Sequence, residues 1–575
     1  MTRNPSFWFG PHLEGDESRF HLWAPRECVV AVEVNGHQAV PMRSDALGLR
    51  SAVSPATAGA RYCFRVGGRL CVTDPASRAQ DGDVGDASLI VDPDAYHWQC
   101  SDWRGRPWEE TVLYELHVGL FGGFEGVTAH LERIARLGFT AVELMPVADF
   151  PGRRNWGYDG VLPFAPDRAY GTPDQLKHLI DRAHALGLMV FLDVVYNHFG
   201  PDGNWLSEYA PQFFRSDRKT PWGNAIDFRE PVVRRFFIEN ALYWVHEFRF
   251  DGLRLDAVHA IGDQEFLLEL AREVHAGVPA GRHVHLVIEN DDNDARLLRK
   301  GFDAQWNDDF HHALHVLLTG ETTGYYEDYA AAPASALARA LSEGFVYQGE
   351  ASQHRGAARG TSSSDLPPTS FVSFLQNHDQ IGNRAFGERL TVLADPQALR
   401  AAVALQLLCP QIPLVFMGEE AGAREPFLYF TDHKPDLAEA VRRGRREEFS
   451  KFPEFADPIR RERIPDPNAP ETFERSRPDF GSAHAAEWND FYSTLIRHRR
   501  ENVIPRLKGA FAEGAEVLGD GAVIARWRMG GGGRLTLAIN LGTQAVRGDF
   551  PRTAPFCGEA GPELARNSTT AWIEA

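Results

Sequence analysis

Eight short apolar runs, separated by longer amphipathic stretches, constrain the fold of this chain more than any other sequence feature. The runs cover residues 112–117, 141–146, 190–196, 252–257, 285–289, 303–306, 371–377 and 413–417. Strands of a parallel sheet are buried on both faces, so they form nearly continuous apolar runs. The stretches 172–186 and 232–247 have the length and the end signals of helices. Eight such repeats predict an α/β fold with a (β/α)8 TIM barrel, and the absence of a GxGxxG fingerprint weakens the alternative of an open doubly wound sheet.

Alternating strand patterns flank this segment on both sides. Apolar and polar residues alternate around residues 20–23, and turn signals follow, which predicts an N-terminal β-sandwich over residues 1–97. A similar pattern around residues 523–527 predicts a small C-terminal β domain over residues 506–575.

The predicted barrel domain covers residues 98–505, with insertions near 198–230 and 349–370. Both insertions lie where loops can reach the carboxyl ends of the strands. Barrel enzymes build their active sites on that face, so we expect the functional residues there.

Composition limits the classes of partner. The 575 residues carry a formal net charge of −19 without a basic stripe, so we expect no nucleic-acid partner. No window reaches the roughly eighteen apolar residues of a membrane helix, and residues 1–5 begin no signal-peptide core, so we expect no membrane contact and a cytoplasmic location. The six cysteines are scattered without a CxxC pair, which predicts thiols instead of disulfides or metal ligands.

Four segments place charged or polar side chains at the carboxyl end of a predicted barrel strand. Arg254 and Asp256 are two residues apart, so they share one face of their strand. A guanidinium beside a carboxylate favours its ionised form, which a nucleophile needs. A buried ion pair that only orients the strand is the structural alternative for these two residues.

The other segments add acids and histidines at the same level. Glu289 ends an apolar strand, where an acid can carry the proton that a glycosidic leaving oxygen requires, although a helix-capping acid is the alternative. Retaining glycosidases use two close carboxyls that flank the bond, and Asp256 with Glu289 fits that need. Asp379 would be a third acid that holds the sugar ring in a distorted form, while His198 and His378 would donate to hydroxyls of the same sugar.

These segments, residues 193–198, 252–259, 286–290 and 371–383, resemble the signature regions of the α-amylase superfamily, glycoside hydrolase family 13. The resemblance implies that Asp256 is the nucleophile, Glu289 the acid/base and Asp379 the acid that stabilises the transition state. The sandwich, with its 20–25 stretch, resembles the carbohydrate-binding-like N-terminal module of the branching, debranching and trehalose-releasing members.

Longer stretches resemble the trehalose-releasing branch of that superfamily. They cover residues 114–119, 143–152, 156–160, 305–312 and 429–433. The resemblance implies hydrolysis of the α-1,4 bond next to the terminal trehalose of maltooligosyl trehalose, with retained anomeric configuration and no cofactor. It also implies a functional pairing with a maltooligosyl trehalose synthase. A branching or debranching enzyme, or a glycan-binding protein without turnover, are the alternatives.

Further residues are predicted to bind the substrate. Tyr158 would stack on the sugar at the cleaved bond, with barrel-rim packing as its structural alternative. The remaining candidates lie near the signature segments; they are Asp159, Arg254, His259, Asp308, Asp309, His311, His312, Gln380 and Asn383. Asp308 and Asp309 could instead cap a helix that begins at Phe310. Near Asn197 we find no cluster of oxygen ligands at suitable spacing, so we predict no metal.

Overall fold

The computed structural model describes residues 7–26, 28–220 and 222–574, so the chain start on which the signal-peptide prediction rests lies outside the described residues. Within the described part, eight parallel strands close into a barrel. They are β1 (Leu113–Leu116), β2 (Ala141–Leu144), β3 (Met189–Val194), β4 (Gly252–Leu255), β5 (His285–Ile288), β6 (Ala304–Trp306), β7 (Phe371–Ser373) and β8 (Ile412–Phe416). Each strand overlaps one of the eight apolar runs, and all their residues are buried. The predicted TIM barrel is therefore confirmed.

Helices surround the barrel. The longer ones are Phe124–Leu137, Pro173–Ala185, Pro231–Glu247, Gln264–Gly277, Asp308–Thr319, Pro333–Glu343, Pro396–Leu408, Pro435–Glu448 and Ala485–His498. Shorter ones are Leu206–Tyr209, Val258–Ile261, Glu327–Ala330, His378–Gly382, Leu390–Leu393, Pro458–Glu462 and Pro470–Glu474. Sequence signals account for the start of the second long helix, because Thr172 and Gln175 form a reciprocal capping box around Pro173. No helix in the part of the chain described is long and apolar enough to span a membrane.

Two antiparallel sheets precede the barrel. One contains His12–Glu14, Glu17–Trp23, Leu49–Pro55 and Arg43–Ser44; the other contains Val40–Pro41, Val30–Val34, Arg61–Val66 and Leu70–Val72, with Ser88–Leu89 beside Arg61–Val66. Burial alternates along the strands, as in Arg61–Val66, so apolar side chains fill the space between the sheets.

The prediction of free thiols is wrong for one pair, because Cys63 and Cys71 form a disulfide with a Cα–Cα distance of 6.2 Å. Arg65 lies opposite Cys71 in the hairpin register, which places Cys63 diagonally across from Cys71. Their spacing of eight residues reflects a hairpin, which the search for CxxC pairs did not detect. The other cysteines of the described chain are free; they are Cys28, Cys100, Cys409 and Cys557.

A four-stranded antiparallel sheet follows the last long helix. Its strands are Phe511–Gly519, Ala522–Arg528, Arg534–Asn540 and Ser568–Glu574, and a short pair, Val546–Arg547 and Glu563–Leu564, lies beside them. Trp527 Nε1 donates a hydrogen bond of 3.2 Å to Leu341 O, and Thr569 Oγ1 donates one of 2.7 Å to Ala401 O. These bonds hold the sheet against barrel helices.

Short hairpins occur in the loops. They pair Ala148–Asp149 with Leu162–Pro166, Phe214–Thr220 with Gly223–Ile226, and Ala351–Ser352 with Ala357–Ala358. The second and third of these hairpins lie in the two predicted insertions.

Candidate active site

A buried arginine joins three acids at the carboxyl end of the barrel. Arg254, on β4, is 0% exposed; its Nη1 donates to both oxygens of Asp193 at 2.8 and 2.7 Å. The same nitrogen donates to Asp256 Oδ1 at 2.9 Å, and Nη2 donates to Glu289 Oε2 at 2.6 Å. The guanidinium also lies 4.1 Å from the ring centre of Trp306. We call Arg254, Asp193, Asp256 and Glu289 the Arg254 cluster.

Charge keeps this arginine protonated. Burial alone lowers its pKa, but the carboxylates of Asp193 and Glu289 outweigh burial and raise the pKa of Arg254 well above its usual value. For Asp193 burial is the largest effect, and it raises the pKa of that carboxyl to about 7 although Arg254 acts in the opposite direction.

Asp256 and Glu289 follow adjacent strands and remain accessible. Asn197 Nδ2 donates to Asp256 Oδ2 at 2.7 Å, and the Asp256 side chain is 12% exposed. The Glu289 side chain is 18% exposed and accepts the Ala257 N–H at 3.0 Å. Ala257 adopts φ +41°, a strained conformation for a residue with a Cβ. One guanidinium bridges the two carboxylates, which is compatible with the separation of about 5–5.5 Å in retaining glycosidases.

Asp379 lies in the first turn of the helix His378–Gly382, which follows β7 after a short connection. Asn377 caps this helix by accepting the backbone N–H of Asp379 at 2.9 Å, so the side chain starts from a fixed position. Asn383 Nδ2 donates to Asp379 Oδ1 at 3.2 Å. At 37% exposure, the Asp379 side chain is the most open of the three predicted catalytic acids.

His378 links this helix to β1 and to the loop after β2. Its Nδ1 lies 2.5 Å from Glu115 Oε1, and its Nε2 lies 2.8 Å from the Tyr158 hydroxyl. Burial lowers its pKa, but the Asp379 and Glu115 carboxylates prevail and raise the pKa of His378 to about 9. The imidazole is therefore a cation at neutral pH, so both ring nitrogens donate. The Tyr158 hydroxyl in turn donates a hydrogen bond of 2.6 Å to Asp193 Oδ2.

His198 lies on the other side of Tyr158. Its Nε2 is 2.9 Å from Tyr158 O, and its Nδ1 bonds the Asn197 side chain. Burial lowers the pKa of His198, so the ring is neutral at pH 7. The ring of Trp222, from the first insertion, stacks on it at 4.7 Å and is 47% exposed.

The helix Asp308–Thr319 brings only part of its predicted residues toward the site. Asp308 is half-buried and accepts a long bond of 3.4 Å from Gln380 Nε2. Burial, and then the Glu289 charge, raise the pKa of Asp308 well above its usual value. The helix begins at Asp308 after Asn307, so neither acid caps a helix that begins at Phe310.

Asp309 and His311 lie in the interior behind the site. Asp309 is 0% exposed and accepts hydrogen bonds from Arg359 Nη1 at 3.1 Å and from the Tyr329 hydroxyl. His311 Nδ1 lies 2.5 Å from Leu375 O. These contacts hold elements together, so direct substrate contact by either residue requires a rearrangement.

His312 is 7% exposed and lies between two tyrosine rings, with ring centres 4.7 Å from Tyr325 and 4.9 Å from Tyr329. Two further candidates lie at the rim. Asp159 Oδ2 accepts a bond of 2.6 Å from Asn155, and His259 Nδ1 accepts the Asp291 N–H at 3.3 Å.

Glu115, Asp193 and Arg359 are site residues for which the sequence alone predicted no role. The two acids interrupt apolar strands, and a buried acid in a parallel strand needs a partner, so that signal could have found them. Arg359 lies in the second insertion, whose Ser, Gly and Pro content gives no such signal; its Nη2 donates to Asp291 Oδ1 at 3.1 Å. Among the described residues, no group of three or more His, Cys, Asp or Glu is placed to hold a metal ion.

Comparisons with known proteins agree with this geometry. Residues 80–222 match the family described as "Alpha amylase, catalytic domain", and residues 510–568 match a domain of unknown function, DUF3459. A malto-oligosyltrehalose trehalohydrolase of Saccharolobus solfataricus is 42% identical over 76% of this chain and 80% of its own length. The protein of that name from Deinococcus radiodurans is 40% identical, over 92% and 89% respectively.

A solved structure from Salmonella typhimurium, assigned as an alpha amylase, is also similar. It is 42% identical, covers 99% of this chain and 100% of its own, and superposes with a TM-score of 0.93. The similarity thus extends from the barrel to both flanking β regions.

Proposed function

Since the chain belongs to the malto-oligosyltrehalose trehalohydrolase family of the α-amylase superfamily, we propose that it releases trehalose from the end of maltooligosyl trehalose. The reaction hydrolyses the α-1,4 bond next to the terminal trehalose unit. The observation that carries the proposal is the bridging of Asp256 and Glu289 by one guanidinium at the barrel mouth.

In the first half of the reaction, Asp256 attacks the anomeric carbon. Its Oδ1 is held by Arg254 and its Oδ2 by Asn197, so the carboxylate is held in one orientation. Glu289 gives its proton to the departing oxygen of the trehalose unit. A covalent glycosyl-enzyme forms and trehalose leaves.

In the second half, Glu289 has lost its proton and acts as a base. It takes a proton from water, which attacks the anomeric carbon and releases Asp256. Two inversions give net retention, and Glu289 regains its proton.

Three further residues act on the positively charged transition state. Asp379, the most open acid, accepts hydrogen bonds from hydroxyl groups of the distorted ring. His378 donates with both ring nitrogens to Glu115 and to the Tyr158 hydroxyl, so it acts on the sugar by holding the Tyr158 ring. The Tyr158 ring, stacked on His378 at 5.1 Å, offers its other face to the apolar C–H surface of the sugar.

On the trehalose side, Asp308 and Gln380 are the first candidates, because they reach the rim together. His259 and Asn383 are nearby candidates, and His312 would need Tyr325 to move. Asp309 and His311 act on this side through the packing of the helix Asp308–Thr319.

A product assay tests the proposal. Maltooligosyl trehalose and a plain malto-oligosaccharide of equal length are each incubated with the enzyme, and products are separated by chromatography. We expect free trehalose from the first and much slower cleavage of the second. New α-1,6 linkages would support the branching alternative, and binding without turnover would support a glycan-binding protein.

We also propose a functional pairing with a maltooligosyl trehalose synthase and a cytoplasmic location. The substrate carries a trehalose unit at the end of an α-1,4 chain, so a reaction that rearranges the chain end must supply it. Both enzymes then share one glucan pool.

A further inference from the structure

Two buried glutamates lie side by side below the candidate site. Glu115 on β1 and Glu143 on β2 are partners in the parallel register, and each is 1% exposed. Adjacent strands are about 4.8 Å apart, and register partners point to the same face of a sheet. Glu115 contacts His378 at the barrel mouth, so both side chains point into the barrel.

Three of the four oxygens of these two carboxyl groups lack a donor among the described residues. Glu115 Oε1 is held by His378 Nδ1, but no described residue donates to Glu115 Oε2 or to either oxygen of Glu143. Buried polar atoms are almost always hydrogen-bonded. Two ionised carboxylates at paired positions of neighbouring strands, away from water, would also repel each other strongly.

We propose that Glu143 carries a proton, donates it in a hydrogen bond to Glu115 Oε2, and thereby acts as a positioning residue for His378. This inference rests on the proposed function. The proton stays on Glu143 throughout the reaction, so no bond is broken and no charge is transferred. One shared proton satisfies an oxygen on each glutamate.

The charges that face Glu143 agree with a neutral carboxyl. Burial is the largest cause, and together with the charges of Glu115 and Asp193 it raises the pKa of Glu143 well above its usual value, although Arg254 and His378 act in the opposite direction. With Glu143 neutral, the single charge of Glu115 balances the single charge of His378.

The arrangement determines where His378 points. A Glu115 carboxylate fixed at Oε2 by Glu143 presents Oε1 to His378 Nδ1, which turns Nε2 toward Tyr158. Without the donor on Glu143, Glu115 can rotate. The imidazole of His378 then loses its orientation, and with it the hydrogen bond that holds Tyr158.

The first experiment detects the proton without substrate. Infrared difference spectra between the parent and Glu143→Gln should show the C=O band of a protonated carboxyl lost in the variant, at pH 7. If the parent lacks this band, Glu143 is ionised and the inference is overturned. This readout is independent of which glycoside the enzyme cleaves.

The second experiment compares two variants by activity. Glu143→Gln keeps a neutral donor of the same shape, so kcat should stay within about threefold of the parent, whereas Glu143→Leu should lower kcat by about tenfold or more. Thermal unfolding of each variant measures its folded fraction, to which rates are normalised, and this separates positioning from misfolding. Equal losses in both variants, or no loss in either, would contradict the inference.

A matched control is Glu419→Gln. Glu419 is another buried glutamate, 4% exposed, whose pKa burial raises to about 8, and it lies outside the cluster around His378. Its own infrared band should disappear. The titration of His378, followed by NMR of labelled histidine, should change in Glu143→Leu and not in this control. If the parent released no trehalose, the proposed function would fail while the infrared result still stood.

Discussion

Two groups of buried acids in this molecule have opposite electrostatic environments. In the Arg254 cluster, a guanidinium with three carboxylate partners lies at the barrel mouth. Asp149 and Asp167, which we call the Asp149–Asp167 pair, lie in the loop after β2, and they are 1% and 2% exposed. No described residue donates to Asp149 Oδ2, whereas Asp167 accepts two backbone N–H groups, from Phe150 at 3.0 Å and Ala169 at 2.6 Å.

The difference shows that environment decides what an aspartate does. Burial raises the pKa of Asp167 to about 8, although the two backbone N–H groups act against it. Burial and the charge of Asp167 raise the pKa of Asp149 well above its usual value. The pair therefore keeps a proton at neutral pH, while Asp256 has a cation beside it and access to solvent, as a nucleophile requires.

The largest effect should come from removing the nucleophile. Asp256→Asn keeps the shape of the side chain but cannot form the covalent intermediate, so kcat should fall by about 10⁴-fold or more. Initial rates on maltooligosyl trehalose measure the loss, and thermal unfolding checks the fold. The counterpart Asp149→Asn should keep the parental kcat. A large loss of kcat in this variant would contradict the difference that we draw between the two groups of acids.

Removing the cation should cost stability. Arg254→Met leaves three acids without their shared partner, and we expect the free energy of unfolding to fall by about 3–5 kcal/mol at pH 7. Because the unpaired carboxylates of the variant would take up protons as pH falls, the deficit should shrink in acid. Urea unfolding at pH 5 and pH 7 measures both values; a deficit that grows toward pH 5 would contradict this account.

The smallest effect concerns the pair itself. Unfolding exposes carboxyls that ionise near pH 4, whereas in the folded state the pKa of Asp167 is about 8. Unfolding between these values releases a proton, so the pair's contribution to stability is full below pH 4 and is lost as pH rises to about 8. Asp149→Asn should flatten this dependence by on the order of 1 kcal/mol. An unchanged slope between pH 5 and pH 8 in urea unfolding would show that the pair holds no proton.

The Arg254 cluster and the Asp149–Asp167 pair also differ in how much of each the sequence could predict. All eight barrel strands were predictable because parallel strands buried on both faces leave apolar runs, and Arg254 and Asp256 were predictable because a strand period of two places them on one face. The pairing of Asp149 with Asp167 depends on an irregular hairpin with a register shift between Ala148 and Asp149, which no local pattern specifies.

The residues on the trehalose side were harder to predict from sequence, because their positions also depend on contacts that no local pattern specifies. The run 305–312 marks a segment near the site, but it does not show which face of the helix Asp308–Thr319 meets the barrel, so Asp309 and His311 were placed with Asp308 at the substrate. Arg359 reaches Asp309 from 50 residues away in sequence. Long-range contacts of this kind depend on the packing of several elements, which periodicity does not reveal.

The central claim is that Asp256 and Glu289 act as a nucleophile and an acid/base pair on one glycosidic bond. A malto-oligosyl fluoride offered to Glu289→Gln tests it most directly, because fluoride leaves without an acid while the second step lacks its base. Mass spectrometry of digested protein should find the glycosyl group on the peptide that contains Asp256. A label on another residue, or rapid turnover without any label, would contradict the account.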